Sequence, residues 1–194
     1  MKVAIVKYNA GNIASVANAL ERLGVEPVIT DDGATLRAAD KVIFPGVGEA
    51  STAMAYLQER GLDAVIRSLK QPVLGICLGM QLLCESSEEN DTECLGVFPY
   101  RVRKFSSEHV KVPHVGWNTI NVSDSPLFGG MTADQYVYFV HGYYVETGEQ
   151  TTATCTYAEL FSAGIGYHNF HGVQFHPEKS GAVGQLILEN FLRL

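Results

Sequence analysis

The stretch of sequence that decides the fold is Pro72-Val73-Leu74-Gly75-Ile76-Cys77-Leu78-Gly79-Met80-Gln81. It begins with a short apolar run, Pro72–Ile76, which predicts a buried strand. The following segment, Cys77–Glu85, has the pattern of a helix. A strand that runs directly into a helix, with glycines around the junction, is typical of a nucleophile elbow.

The residue at this junction is Cys77, in a G-x-C-x-G spacing where G-x-S-x-G elbows carry serine. The partial positive charge at a helix N-terminus favours a thiolate there. We expect the backbone N–H of Leu78 to be free to hold a developing oxyanion. The alternative is a small buried cysteine packed beside glycines, but the strand before it and the helix after it favour a nucleophile.

The sequence before the elbow alternates in the same way. Strands are predicted at Lys2–Tyr8, Glu26–Thr30 and Val42–Phe44, and helical periodicity follows the first and the third of them. Strands that alternate with helices form a mostly parallel sheet covered on both faces, so we expect an α/β fold.

The second half of the chain has a different pattern. Glu85–Glu93 is acidic, and we expect a solvated loop there. The β-rich runs that follow are Val97–Val102, Trp117–Val122, Gln135–Val145, Thr151–Thr156 and Gly172–Phe175. These predict extra antiparallel strands or hairpins beside the main sheet, before a closing amphipathic helix. Since no linker or repeat interrupts the pattern, we expect a single domain over residues 1–194.

Composition excludes several classes of protein. The 194 residues carry 14 Lys+Arg against 21 Asp+Glu, a net charge of −7 without a basic cluster, which disfavours nucleic-acid binding. No apolar run approaches the roughly 18 residues of a membrane span, and the first residues resemble a buried strand rather than a signal peptide. Four cysteines without a C-x-x-C pair predict neither a disulfide scaffold nor a metal site, and indicate a cytoplasmic protein.

A cysteine nucleophile needs a base, and His176 in Phe175-His176-Pro177-Glu178 is the best candidate. Pro177 disfavours a helix at His176, so we expect extended backbone in which His176 and Glu178 project to the same side. Glu178 would then orient the imidazole. The alternative is a surface His-Pro turn beside an unrelated acid, and periodicity does not place this motif next to Cys77.

A glycine-rich segment, Pro45-Gly46-Val47-Gly48, follows the third predicted strand. It should therefore lie at the carboxyl edge of the sheet, where open α/β sheets bind ligands. Its glycines allow the backbone to approach a ligand closely. The segment lacks the Lys of a phosphate-binding P-loop, and an ordinary strand-to-helix turn is the alternative.

Together these motifs resemble the class I glutamine amidotransferases, whose glutaminases use Cys, His and Glu. The matching segments, in the family's order, are Pro45–Gly48, Gly75–Gln81 and Gly172–Ser180. Other segments resemble one branch, the glutaminase subunits of imidazole glycerol phosphate synthase: Tyr8–Asn12, Lys111–Asn118 and Tyr138–His141. The resemblance implies a flavodoxin-like class I amidotransferase domain without a cofactor.

The resemblance also implies a mechanism. Cys77 would attack the side-chain amide of glutamine, His176 would take the thiol proton and return a proton to ammonia, and Glu178 would orient His176. The N–H groups of Leu78 and, after a local rearrangement, Val47 would hold the oxyanion. Water would then cleave the glutamyl thioester.

Further positions follow from the same resemblance. Substrate contacts are implied for Gly48, Gln81, Gly142 and Tyr143. Relatives commonly carry Ser or Thr at the position of Gly142, so a substrate contact made by that side chain would be absent here, whereas a backbone contact would survive. Ammonia would pass to a (β/α)₈-barrel cyclase subunit in a heterodimer, which makes imidazole glycerol phosphate and AICAR for histidine biosynthesis. Interface positions are implied for Asn12, Trp117, Asn118 and Lys179.

Other interpretations remain open. The same chemistry could serve a pyridoxal phosphate or anthranilate synthase, although the residues after Cys77 and the Pro-Gly-Val-Gly segment differ from those branches. A cysteine peptidase or redox protein shares the elbow, but the His-Pro-Glu motif is not expected there. A binding module that has lost activity is disfavoured by intact Cys77, His176 and Glu178.

Overall fold

The computed structural model describes residues 1–106, 108, 110–132 and 135–194. The strands at its centre are β1 (Val3–Val6), β2 (Val28–Thr30), β3 (Lys41–Phe44) and β4 (Val73–Ile76). The helices are α1 (Ile13–Arg22), α2 (Gly33–Arg37), α3 (Ala50–Glu59), α4 (Leu62–Ser68), α5 (Leu78–Leu82) and α6 (Gly181–Arg193).

The central sheet is parallel because its strands are separated by helices. Strands run in the order β2-β1-β3-β4 and then β13 (Phe170–Val173), with every neighbouring pair parallel. Successive side chains of β1 enter opposite cores: Ala4 packs with α3 and α4, whereas Ile5 packs with α1 and α6. A sheet buried on both faces needs the continuous apolar runs that the sequence shows. The predicted α/β architecture is confirmed.

Antiparallel strands extend this sheet in the second half of the chain. They are β5 (Ser86–Ser87), β6 (Thr92–Glu93), β7 (Arg101–Lys104), β8 (His114–Val122), β9 (Gln135–His141), β10 (Tyr143–Val145), β11 (Thr151–Tyr157) and β12 (Glu159–Tyr167). The pairs β8–β9, β11–β12 and β12–β13 are antiparallel, although β5 pairs with β7 in parallel. The end of β9 lies beside the elbow, where Cys77 Sγ is 3.8 Å from the carbonyl oxygen of Val140.

Some predicted elements were wrong or missed. The expected solvated loop at Glu85–Glu93 forms a small hairpin, β5–β6, in which Ser87 and Thr92 are buried. Strand β12 was not predicted, because the small residues around Gly164 interrupt its β pattern. In the part of the chain that the structure describes, no helix is long and apolar enough to cross a bilayer.

Candidate active site

Cys77 occupies the turn between β4 and α5. Its backbone has φ 54° and ψ −109°, a conformation that non-glycine residues rarely adopt. Such strain is typical of functional residues held by their surroundings. At Gly79 a side chain would collide with the carbonyl group of Phe44, so glycine allows α5 to pack directly on the end of β3. The predicted elbow is present.

His176 and Glu178 form a fully buried pair. His176 Nδ1 lies 2.8 Å from Glu178 Oε1, and since a carboxylate only accepts, Nδ1 carries the proton. The expected extended backbone was wrong beyond His176, because Pro177–Lys179 forms a 3₁₀ turn. Ser180 Oγ stabilises this turn by donating to the carbonyl of His176 at 2.6 Å. The contact between the two side chains therefore forms across a turn rather than along a strand.

His176 also lies close to Cys77. Burial lowers the pKa of the imidazole, but hydrogen bonding and negative charge at the Cys77 sulfur and the Glu178 carboxylate outweigh burial and raise this pKa to about 10. Nε2 is buried and makes no well-formed hydrogen bond to a described residue. The imidazole can therefore receive a proton at Nε2 while Nδ1 remains bonded to Glu178, which is the arrangement that a general base requires.

Asn12 also contacts this pair. It has left-handed backbone, φ 75°, immediately before α1. Its Nδ2 donates to Glu178 Oε1 at 2.6 Å, so the same carboxylate oxygen accepts from Asn12 and from His176. The sequence placed Asn12 only at a partner interface. That role stays a prediction, and the structure adds a contact inside the site.

The backbone N–H of Leu78 is not free, so this expectation was wrong. It donates to the carbonyl of Gly46 at 3.2 Å. Because the Gly46–Val47 peptide is trans, its N–H points in the opposite direction, away from Leu78. The segment is held by two further bonds, from Tyr8 Oη to the Pro45 carbonyl at 2.7 Å and from Gly11 N–H to the Val47 carbonyl at 3.2 Å.

A pocket of about 300 Å³ opens beside Cys77. The positions predicted to contact substrate all line it, namely Gly48, Gln81, Gly142 and Tyr143. Gly48 has φ 136°, which favours glycine. A Cβ at Gly142 would meet the Val112 side chain at 3.7 Å, an ordinary contact, so packing does not require glycine there. The substrate roles of these residues stay predictions.

Two residues of the site were missed by sequence reasoning. Glu89 lines the pocket, and its Oε2 accepts from the N–H of Ala50 at 2.7 Å, at the start of α3. Burial raises its pKa. Gln174 is fully buried, and its Nε2 lies 3.6 Å from Cys77 Sγ. An isolated amide in the apolar run Gly172–Phe175 was the signal that could have identified it.

The remaining cysteines do not share the environment of Cys77. Burial raises the pKa of Cys84 well above its usual value and raises the pKa values of Cys94 and Cys155 to about 12. Within the described ranges, no group of three or more His, Cys, Asp or Glu side chains could hold a metal ion.

Of the other predicted interface residues, Trp117 and Asn118 lie on β8, whereas Lys179 directly follows Glu178 and donates its backbone N–H to the carbonyl of His176 at 3.0 Å. Trp117 on β8 is 54 % exposed and packs edge-on against Tyr138. Asn118 donates to the carbonyl of Thr156 at 3.1 Å, and Lys179 is exposed. Their contact with a partner stays a prediction.

Comparisons with known proteins agree with this geometry. The sequence model of the family "Glutamine amidotransferase class-I" matches residues 4–194. The imidazole glycerol phosphate synthase subunit HisH of Bacteroides fragilis is 58% identical over 100% of both chains. That of Shewanella sediminis is 46% identical over 98% of this chain and 89% of its own. A solved glutamine amidotransferase shares the fold with a TM-score of 0.78 at 19% identity, covering 100% of this chain and 98% of its own. The chain belongs to the class I glutamine amidotransferases.

Proposed function

We propose that this chain is the glutaminase subunit of an imidazole glycerol phosphate synthase of histidine biosynthesis. The observation that carries the proposal is the 58% identity to such a subunit over 100% of both chains. The buried His176–Glu178 pair beside Cys77 supports it, because these groups are the ones that glutamine hydrolysis through a thioester requires. A cytoplasmic location belongs to the same proposal.

In the first half of the reaction, Cys77 Sγ attacks the amide carbon of the glutamine side chain. His176 Nε2 takes the thiol proton and then gives a proton to the departing ammonia. Glu178 holds the imidazole in the tautomer that leaves Nε2 available. Cys77 and Glu178 stabilise the imidazolium that forms when His176 has taken the proton, which is why the pKa of His176 is raised, and this favours proton transfer from the thiol. The product is a glutamyl thioester on Cys77.

The second half returns the enzyme to its starting state. Water adds to the thioester carbon while His176 accepts its proton. The carbon–sulfur bond then breaks, its electron pair returns to Sγ, His176 returns the proton to the sulfur, and glutamate leaves. The pocket residues Gly48, Gln81, Gly142 and Tyr143 hold the glutamine in this proposal.

The oxyanion of both steps would be held by the backbone N–H groups of Leu78 and Val47. In the structure, the N–H of Leu78 donates to the Gly46 carbonyl, so it is not available to an oxyanion. Rotation of the Gly46–Val47 peptide would remove this carbonyl and turn the Val47 N–H toward the pocket. We infer that the resting chain is a poor glutaminase, since a single oxyanion donor is worth about 10²–10³ in kcat.

The proposed partner is a (β/α)₈-barrel cyclase subunit, which would receive the ammonia in a heterodimer. An apolar surface lies on the β8–β9 hairpin, where Val115, Trp117 and Tyr136 are each more than half exposed. Val115 pairs with Val140, which lines the pocket, so a partner on this surface would stand beside the active site. Exposed apolar clusters of this kind mark interaction sites. Asn12, Asn118 and Lys179 would complete the interface.

The test measures glutamate release from glutamine by the purified chain, alone and with a cyclase subunit and its nucleotide ligand. We expect low activity alone and a large rise with both additions. High activity of the isolated chain would contradict the closed oxyanion site. Absence of activity under both conditions would contradict this synthase and favour a different partner.

A further inference from the structure

Gln174 is a polar side chain buried next to the proposed nucleophile. It follows β13, lies between Val173 and Phe175, and has no exposed surface. Burying a carboxamide is costly unless its N–H and C=O groups are hydrogen-bonded. The partners of this amide therefore decide its role.

The orientation of the amide is determined by a backbone carbonyl. The oxygen of Tyr143 can only accept, so the atom of Gln81 that lies 3.0 Å from it is Nε2. The same Gln81 Nε2 lies 3.0 Å from Gln174, so the atom facing it is the acceptor Oε1. The other end of the Gln174 amide, Nε2, must then face Cys77 Sγ at 3.6 Å.

A second side chain, that of His141, also donates to the carbonyl oxygen of Tyr143. His141 Nδ1 lies 2.7 Å from the same Tyr143 oxygen and donates to it. His141 Nε2 is then an acceptor, and it lies 3.1 Å from Nδ1 of His114, which is buried on β8. Burial lowers the pKa values of both imidazoles, to about 3 for His141 and about 4 for His114, so both are neutral at neutral pH. The Tyr143 oxygen therefore accepts from both His141 and Gln81, and from Gln81 the donors run through Gln174 to Cys77 Sγ.

We propose that Gln174 is a further catalytic residue, which donates a hydrogen bond to Cys77 Sγ and stabilises the negative charge of the thiolate. This rests on the proposed glutaminase function. Sulfur carries that charge twice: after His176 takes the thiol proton, and when the thioester breaks and the electron pair returns to Sγ. A hydrogen bond to the charged form favours that form. In the thioester the sulfur is neutral, so the bond acts in the steps around this intermediate.

The test compares wild type with Gln174→Met, which keeps the length of the side chain and removes the N–H donor. Iodoacetamide alkylation of Cys77 is followed from pH 5 to pH 10 by peptide mass spectrometry. The raised pKa values of Cys84, Cys94 and Cys155 slow the other thiols. Since hydrogen bonds to charged groups correspond to about one to two pKa units, we expect the alkylation midpoint of Cys77 to rise by about one pH unit.

Glutamine hydrolysis by the same variant, measured with the cyclase subunit and its ligand, should fall about tenfold at neutral pH and recover in part at higher pH. A folded variant with an unchanged alkylation midpoint would overturn the proposal, and a merely structural amide would give that result. The midpoint does not depend on turnover. If wild type fails to hydrolyse glutamine, the proposed function fails while this measurement still reports on the thiolate.

A measurement on wild type covers the case in which Gln174→Met does not fold. In a uniformly labelled full-length chain, the Nε2 amide signals of Gln174 should shift with pH at the midpoint of Cys77 alkylation. The shift should be absent in Cys77→Ala. Amide signals that do not respond to the ionisation of Cys77 would contradict the hydrogen bond.

Discussion

The two sides of the pocket around Cys77 differ in how far they are assembled. On one side, His176, Glu178 and Asn12 already form hydrogen bonds of 2.6–2.8 Å. On the other side, the N–H of Leu78, a proposed oxyanion donor, donates instead to the carbonyl of Gly46. The groups proposed to move protons are thus in place in the resting chain, whereas the groups proposed to stabilise the tetrahedral intermediate are not.

This difference has a physical basis. The proton-transfer groups are fully buried side chains, and leaving any of them unpaired would be costly. The oxyanion side is backbone at the edge of the pocket, where a peptide can exchange one set of partners for another. A partner that favours the rotated peptide could therefore control hydrolysis without rebuilding the charged pair.

The largest effect is expected from Cys77→Ala, which removes the nucleophile from the assembled side. Glutamine hydrolysis by the complex should fall by at least about 10⁴-fold, as for the loss of the nucleophile in a triad. Formation of the cyclase product from free ammonia should be unchanged, and this serves as the control. Retention of hydrolysis would show that Cys77 is not the nucleophile.

Glu178→Gln should reduce hydrolysis by up to about 10⁴-fold, less than Cys77→Ala, because orientation contributes less than the nucleophile. The variant also removes the carboxylate that raises the pKa of His176, so this pKa should fall. The imidazolium should then be lost at a lower pH than in wild type, which ¹H–¹⁵N NMR of the ring measures. A greater loss of activity than in Cys77→Ala would contradict the ranking.

Removal of the Asn12 side chain should reduce glutamine hydrolysis less than Glu178→Gln does. Asn12→Gly is the suitable variant, because glycine tolerates the left-handed backbone that Asn12 adopts. Losing one hydrogen bond to the carboxylate should lower kcat about tenfold. Asn90→Gly is the matched control, since Asn90 is also left-handed and is exposed. Equal kcat values for the two variants would exclude a positioning role for Asn12.

The smallest effect is expected at the oxyanion side of the pocket, where the substitution should raise rather than lower glutamine hydrolysis. Tyr8→Phe removes the donor to the Pro45 carbonyl, one of the bonds that hold the resting segment. This hydrogen bond is worth about 1 kcal/mol. Its loss should therefore shift the equilibrium of the Gly46–Val47 peptide about fivefold toward the rotated form, and hydrolysis by the isolated chain should rise by the same factor. Tyr56→Phe, on α3, is the control. A decrease in basal hydrolysis would contradict the idea that Tyr8 stabilises a closed state.

The same comparison explains what the sequence could predict. The elbow at Cys77 and the His176–Glu178 pair depend on residues close together in the chain, so motif and spacing predict them. The hydrogen bond between Leu78 and Gly46 joins separate segments, and nothing in either segment indicates it. Glu89 was assigned to a solvated loop for the same reason, because only the fold brings it to the start of α3.

Side-chain amides were the hardest groups to assign. The alternation of parallel strands and helices followed from apolar runs, which report burial directly. The role of Gln174 depends on a chain of contacts through Gln81 to the carbonyl of Tyr143, and these residues lie far apart in sequence. Periodicity carries no information about such contacts.

The most direct test of the central claim measures the two sides of the pocket separately. The pH midpoint of Cys77 alkylation reports the proton-transfer side, and glutamine hydrolysis requires the oxyanion side as well. Both are measured for the isolated chain and for the complex with the cyclase subunit and its ligand. We predict that hydrolysis rises by about 10²-fold or more, the value of one oxyanion donor, while the midpoint moves by less than about half a pH unit. A midpoint that moves by a full unit or more together with hydrolysis would show that the nucleophile is also unassembled in the resting chain.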